Sequence, residues 1–378
     1  MQSIVIAGFA RSPFHFAKKG SLIDVRPDDL AAQTLKGLLD KLDLDPALIE
    51  DVIMGCAYPE AEQGMNIARI ASFRAGFPDS LGGVTVNRFC GSSMTAVHFA
   101  AGQITLGAGE AFICAGVESM TRVPMGGFNV SPNPSLLGSF PQVYMSMGHT
   151  AEKVAERFNV SRDEQDAMAV ESHAKAASAQ ERGSFVDEIV PIAALQGLIS
   201  SDGCIRPGTH LGALAQLKPA FGGTVTAGTA SPLTDGSAAV LVCSETFARN
   251  HNLTIFARIK AVAVGGCAPD IMGMGPVVAT RKVLQRAGLQ IKDIDLVEIN
   301  EAFASQSIAC VRELDLDMAK VNLDGGALAL GHPLGATGAR ITGKAATLLQ
   351  RTGGRYAIAT QCIAGGQGVA TLLEAITD

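Results

Sequence analysis

The chain repeats part of itself. The segments GLLDKLDLDPALIEDVIMG and KVLQRAGLQIKDIDLVEIN begin at residues 37 and 282 and match without a gap, so that Val52 faces Val297 at a separation of 245 residues. The same separation places Ile113 of EAFICAGVES opposite Ile358 of RYAIATQCIAG. Because the register persists over a second helix and strand, the sequence predicts a fold that contains one substructure twice.

Each half alternates strand and helix patterns. In the first half the sequence predicts strands at 3–9, 51–54, 84–86 and 111–117 and helices at 28–42 and 92–107, and the second half repeats this from about residue 255. Such alternation favours largely parallel sheets that are covered by helices. We therefore expect two similar α/β halves, residues 1–117 and 251–378, packed together.

Residues 118–250 interrupt the repeat. They contain the uncharged stretch GGFNVSPNPSLLGSFPQ, two charged helix patterns at 149–158 and 162–182, and the loop GCIRPGTHLGALAQLKPAFGG. Long irregular segments in compact proteins usually form lids or binding loops. The sequence predicts an inserted loop domain over one side of the two halves.

Composition disfavours several classes of function. Hydrophobic residues make up 47% and charged residues 17%, and the net charge of -6 disfavours nucleic acid as the main partner. The apolar runs fall short of the ~20 residues that span a bilayer, and Met1 to Phe9 has the pattern of a strand, so we expect a cytoplasmic protein without a membrane span. Eight cysteines without a C-x-x-C pair and seven histidines without ligand spacing predict reduced thiols and no metal site.

One cysteine has the position of a nucleophile. Met94, Val97, Ala101 and Ile104 form the apolar stripe of the predicted helix 92–107, and this places Cys90 at the N-terminal end of the helix. Free N–H groups and the helix dipole stabilise a thiolate at such a position, so we expect a lowered pKa for Cys90.

The repeat predicts the partners of this thiol. The loop that matches Cys90 in the second half belongs to GGALALGHPLGATGAR, which carries His332, and a second thiol, Cys362, precedes IAGGQG. Asn300 and Glu301 follow the strand IDLVEI, at the strand end where α/β sheets place their sites. We expect these segments to converge on one cleft.

These residues carry a resemblance to a known family. The motifs NRFCGSSM, GVESMTRVPM, TAGTASPLTDGSAA, NEAFA, GGALALGHPLGATGAR and CIAGGQG occur in the order found in thiolases, the acetyl-CoA C-acyltransferases, over essentially the whole chain. The resemblance implies a duplicated five-layered α/β/α/β/α fold with the inserted loop domain. It also implies cleavage of 3-ketoacyl-CoA by CoA to acetyl-CoA and a shortened acyl-CoA, which is a reversible Claisen condensation.

The resemblance assigns a role to each reactive residue. Cys90 takes up the acyl group as a thioester, His332 activates Cys90, and Cys362 is the second acid/base. His332 Nε2 and a water held by Asn300 stabilise the thioester enolate, while the backbone N–H groups of Cys90 and Ala364 stabilise the tetrahedral intermediate. Ala364 departs from the usual glycine, and a positive φ at this position would strain the second of these oxyanion holes.

The resemblance also implies coenzyme A as a substrate and no permanently bound cofactor. It places Arg206 near the adenine of CoA and Ser231 on the pantetheine. Met147 and Phe303 are placed along the tunnel that holds the thioester. Tetrameric short-chain thiolases commonly have a histidine directly before the methionine that corresponds to Met147. This chain has Ser146 there, so it resembles the degradative branch more closely.

Several alternatives remain at this point. The chain could be a biosynthetic acetoacetyl-CoA thiolase, or a weakly active acyl-CoA-binding subunit of a β-oxidation complex, for which Ala364 is the supporting feature. A redox sensor that pairs Cys90 with Cys362 is a third alternative. Thiolase-like proteins are at least dimers, so we expect a homodimer or homotetramer, with a hydratase/dehydrogenase subunit as a further candidate partner.

Overall fold

The computed structural model describes residues 3–376, which form twelve strands and twelve α-helices. The strands are β1 (Ile4–Arg11), β2 (His15–Phe16), β3 (Asp51–Gly55), β4 (Gly82–Val86), β5 (Ala111–Ser119), β6 (Ile192–Ala194), β7 (Gly197–Ile199), β8 (Thr234–Ser244), β9 (Ala257–Gly266), β10 (Leu296–Ile299), β11 (Tyr356–Ile363) and β12 (Gln367–Glu374). The helices are α1 (Pro27–Leu42), α2 (Ile67–Arg74), α3 (Ser92–Thr105), α4 (Pro134–Ser139), α5 (Met147–Arg157), α6 (Arg162–Glu181), α7 (Leu211–Leu214), α8 (Glu245–Asn250), α9 (Gly275–Ala287), α10 (Ala304–Glu313), α11 (Ala327–Leu330) and α12 (Leu334–Thr352).

The sheet contains the same arrangement of strands twice. The first half has the order β4-β3-β5-β8-β1 and the second half the order β9-β12-β11-β10, and a short pairing of β1 with β9 joins them. Val52 pairs with Ile113 between parallel strands, and their repeat equivalents Val297 and Ile358 pair in the same way. The repeat predicted from the sequence is therefore a structural repeat with conserved strand register.

Five layers follow from where the helices pack. Helix α1 packs on the outer face of β1, β5 and β8, and α9 packs on β9, β11 and β12 of the second half. Helices α3 and α12 lie between the two halves and contact strands of both. The order is α/β/α/β/α, as expected.

The central helices approach each other closely. A Cβ atom at Gly338 of α12 would lie 2.3 Å from the backbone nitrogen of Met94 in α3. Since no Cβ fits there, this glycine lets the two helix axes come near enough to exclude water. The buried apolar side chains around them join β-strands of both halves into one core.

The segment 118–250 contains most of the irregular structure. The two predicted charged helices are α5 and α6, and α6 begins with a capping box in which Ser161 and Glu164 exchange hydrogen bonds. Strand β8 also belongs to this segment, yet it lies in the sheet between β1 and β5. The division at 117 and 250 stays a prediction, and the sheet pairing assigns Thr234–Ser244 to the first α/β half.

No helix within residues 3–376 is long and apolar enough to cross a bilayer. In the same residues, no group of three or more His, Cys, Asp or Glu side chains is placed to hold a metal ion.

Candidate active site

A cavity of about 590 Å³ lies between the two halves and the inserted segment. Its walls include seven of the nine predicted site residues: Cys90, His332, Cys362, Met147, Arg206, Ser231 and Phe303. The other two, Asn300 and Ala364, contact lining residues from behind. The structure thus brings the whole predicted set together.

Cys90 lies just before α3, at the position expected from the helix pattern. The residue before it, Phe89, has a φ of 43°, which is unusual for a side chain of this size. The backbone N–H groups of Ala364 and of Cys90 itself face the Cys90 sulfur, and the Gln361 amide donates to the Cys90 carbonyl. Loops from both halves therefore fix the thiol.

The expected lowering of the Cys90 pKa is wrong. Burial raises the pKa of Cys90 to about 12, and this effect outweighs the N–H group of Ala364, which acts in the opposite direction. Helix α3 begins at Ser92, as the sequence predicts, so burial of the sulfur and not the helix position accounts for the difference. The resting Cys90 side chain is therefore a neutral thiol, and the predicted nucleophile requires a base.

His332 is the predicted base, and its imidazole is buried beside Asn300 and Thr337. Burial lowers the pKa of its imidazole to about 3, and Arg340 adds to this effect, so the ring is neutral. Its Nδ1 lies 2.6 Å from Thr337 Oγ1 and its Nε2 lies 3.3 Å from Asn300 Nδ2. The backbone N–H of His332 donates to Thr234 Oγ1 at 3.0 Å and fixes the loop.

Asn300 lies directly after β10 and is fully buried. Its backbone N–H donates to the Thr360 carbonyl at 3.0 Å, and its Oδ1 has no hydrogen-bond partner among residues 3–376. Glu301 beside it accepts hydrogen bonds from Ser172 at 2.6 Å and from Asn322 at 2.6 Å. The motif NEAFA is therefore anchored through Glu301 and leaves the Asn300 carboxamide directed at His332.

Cys362 and Ala364 lie at the end of β11 and in the turn that follows. Burial raises the pKa of Cys362 well above its ordinary value, with Cys90 as the next cause, and both thiols line the same cavity. Ala364 does not have a positive φ, whereas Gly365 and Gly366 have φ values of 79° and 82°. The left-handed turn falls on these glycines, and Ala364 keeps its N–H at the sulfur without strain.

The predicted substrate-binding residues also line the cavity. Met147 is the first residue of α5, and the Phe303 ring meets Phe221 edge-on at 6.4 Å between centroids. The Ser231 N–H donates to the Ala302 carbonyl at 2.9 Å, which joins the inserted segment to the NEAFA loop. Arg206 is exposed and lies over the Phe16 ring.

Glu118 is an important residue that the sequence reasoning missed. This buried carboxylate accepts hydrogen bonds from the N–H groups of Ala57 at 2.8 Å and Gly335 at 2.9 Å and from the Gln63 amide at 2.9 Å. It joins the loop after β3 to the first turn of α12. A carboxylate within the apolar strand EAFICAGVES was the signal that could have revealed it.

Fold and site together define a duplicated α/β protein in which two thiols and one imidazole line a single cavity. Two family models match the chain: the thiolase N-terminal domain over residues 4–246 and the thiolase C-terminal domain over residues 253–375. The chain belongs to the thiolase family.

Individual relatives match over the full length. The chain is 46% identical to a 3-ketoacyl-CoA thiolase of Bacillus subtilis, covering 99% of this chain and 100% of the relative. It is 47% identical to a 3-ketoacyl-CoA thiolase of Shewanella sp. strain MR-7, with complete coverage of both. The crystal structure of human mitochondrial 3-ketoacyl-CoA thiolase superposes with a TM-score of 0.91 at 38% identity, covering 100% of this chain and 99% of the human chain. The complex of that human enzyme with CoA also gives a TM-score of 0.91.

Proposed function

We propose that the protein is a 3-ketoacyl-CoA thiolase, an acetyl-CoA C-acyltransferase that cleaves 3-ketoacyl-CoA with CoA. The convergence of Cys90, His332 and Cys362 in one cavity carries this proposal. A Claisen-type reaction needs one group that holds the acyl chain and another that moves a proton at carbon. Two thiols and one neutral imidazole meet both needs.

In the first half-reaction His332 Nε2 accepts the Cys90 proton, and the thiolate attacks the 3-keto carbon. The oxygen of the tetrahedral intermediate is stabilised by the N–H groups of Cys90 and Ala364, which already face the sulfur. The C2–C3 bond then breaks and its electron pair moves to C2. The enolate oxygen of the departing acetyl-CoA is stabilised by His332 and by a water that the Asn300 side chain holds, and the Cys362 thiol protonates C2.

In the second half-reaction Cys362 takes the thiol proton of incoming CoA. The CoA thiolate attacks the acyl-Cys90 thioester through the same oxyanion site, and Cys90 leaves as a thiolate that recovers its proton from His332. Because burial raises the pKa of both cysteines, each thiolate forms only when its partner accepts the proton. This coupling keeps reactive thiolate out of the resting enzyme.

We propose self-association through the edge strand β4. This strand pairs with β3 on one side, and its other edge is unpaired among residues 3–376. Exposed apolar side chains surround it, among them Met65, Val84 and Phe99. An apolar sheet edge is stabilised by a second copy of the chain, which supports a homodimer or homotetramer. A hydratase/dehydrogenase subunit is a further partner that the proposed function implies.

We also propose a cytoplasmic location. Its support is the redox state that the chemistry requires, because acylation consumes a free thiol at Cys90 and proton transfer needs one at Cys362. All eight cysteines are free thiols in the described structure. The cytoplasm maintains thiols in this state.

The test is CoA-dependent cleavage of 3-ketoacyl-CoA substrates from four to sixteen carbons. We expect native turnover, with a loss of about 10³-fold or more in both Cys90→Ala and Cys362→Ala. Cys267→Ala, which changes a thiol outside the cavity walls, is the matched control and should retain activity. Binding of CoA without turnover by the native protein would instead support an acyl-CoA-binding subunit.

A further inference from the structure

A buried carboxylate lies where the two halves meet behind the cavity. Glu118 is the second-last residue of β5, in the first half, and its side chain is buried. Its Oε2 accepts the Ala57 N–H of the first half at 2.8 Å and the Gly335 N–H of α12, in the second half, at 2.9 Å. A single oxygen atom therefore joins the two halves.

The other hydrogen bonds of this side chain come from the first half. Its Oε1 accepts from the Gln63 amide at 2.9 Å and from the Tyr58 N–H at 3.3 Å. Every partner is a donor, which suits an ionised carboxylate because that group only accepts. The N-terminal end of α12 also stabilises a negative charge. A carboxamide in the same place would direct an NH₂ group at other donors.

Two glycines let the halves meet closely at this point. A Cβ atom on Gly116 of β5 would lie 2.1 Å from the Gly335 carbonyl oxygen, and one on Gly335 would lie 2.8 Å from Cα of Cys56. Backbone therefore contacts backbone where α12 begins. Gly116 and Glu118 are two residues apart on one strand, so they face the same side of the sheet. The hydrogen bonds of Glu118 fix α12 in this contact.

This contact lies between the predicted base and the predicted nucleophile. His332 is three residues before Gly335, in the loop that leads into α12. On the other side, Ala57 and Leu334 pack in one buried cluster with Cys90. The carboxylate thus ties the loop that carries His332 to the residues that surround the Cys90 thiol.

We propose that Glu118 is a positioning residue that sets the distance and angle between His332 and Cys90. This inference rests on the proposed function, in which His332 accepts the Cys90 proton. Glu118 is not among the residues that line the cavity, so it acts through the loops that it holds. A displacement of about 1 Å between two reacting groups can cost about 10²-fold in rate.

The first experiment uses Glu118→Gln, which keeps the shape of the side chain but directs an NH₂ group at N–H donors. We expect kcat for thiolysis to fall about 10²-fold, with the KM of both substrates within about twofold because the cavity lining is unchanged. Asp235→Asn is the matched control, since it removes a buried carboxylate that accepts hydrogen bonds from Ser119 and Thr121. It should keep kcat within about threefold. Equal losses of kcat in the two variants would overturn the proposal.

A double-mutant cycle separates positioning from general damage to the fold. Alkylation of Cys90 by iodoacetamide, followed by mass spectrometry of the peptide that contains it, measures how readily the thiol loses its proton. Glu118→Gln should slow this reaction about tenfold at pH 7. In His332→Ala protein the same substitution should not slow it, because no base is left to misplace. It should slightly speed alkylation there, since the Glu118 charge raises the pKa of Cys90. Equal slowing in both backgrounds would overturn the proposal.

Glu118→Asp keeps the test available if the glutamine variant does not fold. It retains the charge but withdraws the carboxylate by one methylene group, so it should lower kcat about tenfold, and alkylation should show the same dependence on His332. The alkylation cycle does not require turnover. A loss that depends on His332, in a protein that does not cleave 3-ketoacyl-CoA, would support the positioning role alone. Native rates of thiolysis in both Glu118 variants would overturn that role and leave the thiolase assignment intact.

Discussion

His332 Nδ1 lies 2.6 Å from Thr337 Oγ1, and both side chains are buried. The Thr337 hydroxyl is also 3.3 Å from the Pro333 carbonyl, to which it donates its proton. Its oxygen therefore accepts the Nδ1–H of His332, and Asn300 Nδ2 donates to the lone pair on Nε2. Both contacts select the same tautomer, the one in which Nε2 can take the Cys90 proton.

Thr337→Val should lower kcat about 10²-fold, because the Nδ1–H loses its acceptor and the base loses its fixed tautomer and orientation. Thr337→Ser retains the hydroxyl and should restore most of the activity. ¹⁵N chemical shifts of the imidazole should report a shift towards the Nε2–H tautomer in the valine variant. Thr342→Val, which removes another buried hydroxyl further along α12, is the control. Equal losses in the two valine variants would show that Thr337 is merely structural.

Ala364→Gly should leave kcat within about twofold, because Ala364 does not occupy the left-handed region and its N–H is already at the sulfur. The added backbone freedom should lower the free energy of unfolding by about 1 kcal/mol. Steady-state thiolysis and urea unfolding measure both quantities. A tenfold gain in kcat would instead mean that alanine strains the oxyanion hole, as the sequence had suggested.

Phe99→Asp should convert the native oligomer into smaller species, because it places a charge on the apolar surface beside β4. The Phe99 side chain is 48% exposed in the single chain, so the substitution should not disturb the core. Light scattering coupled to size-exclusion chromatography measures the mass. Leu195→Asp, at an 88% exposed position on the β6–β7 hairpin, is the control and should keep the native mass. If Phe99→Asp also keeps it, the interface lies elsewhere.

The repeat made most of the fold predictable. Strand register at Val52 and Ile113 recurs at Val297 and Ile358 because the two halves have the same helix-strand spacing. The segment 118–250 was less predictable, because β8 is separated from the other strands of its half by more than a hundred residues of loops and helices. Its pairing with β1 and β5 depends on tertiary contacts that local periodicity does not encode.

The sequence predicted which residues meet in the cavity but not their electrostatics. Motifs located Cys90, His332 and Cys362, since each lies at a strand end or helix start that the sequence pattern marks. The Cys90 pKa was predicted in the wrong direction because burial depends on the opposite half of the molecule.

His173 should make the stability of the protein fall in mild acid. Burial lowers the pKa of its imidazole to about 4, with Arg206 as the second cause, and Nδ1 accepts the Arg206 N–H. In the unfolded chain the histidine pKa is about 6.5, so above that pH both states are neutral and the full stability is present. As the pH falls from about 6.5 towards about 4, the unfolded chain binds the proton first and stability is lost.

This single group should account for about 2 kcal/mol of the stability lost between pH 7.5 and pH 5. His173→Asn keeps an acceptor for the Arg206 N–H but does not titrate, so its free energy of unfolding should fall by about 2 kcal/mol less over the same interval. Urea unfolding at the two pH values measures the difference. His251→Asn, a change at an exposed histidine, is the reference. If native protein and His173→Asn lose equal stability, protonation of the buried imidazole does not cause the acid sensitivity of the protein.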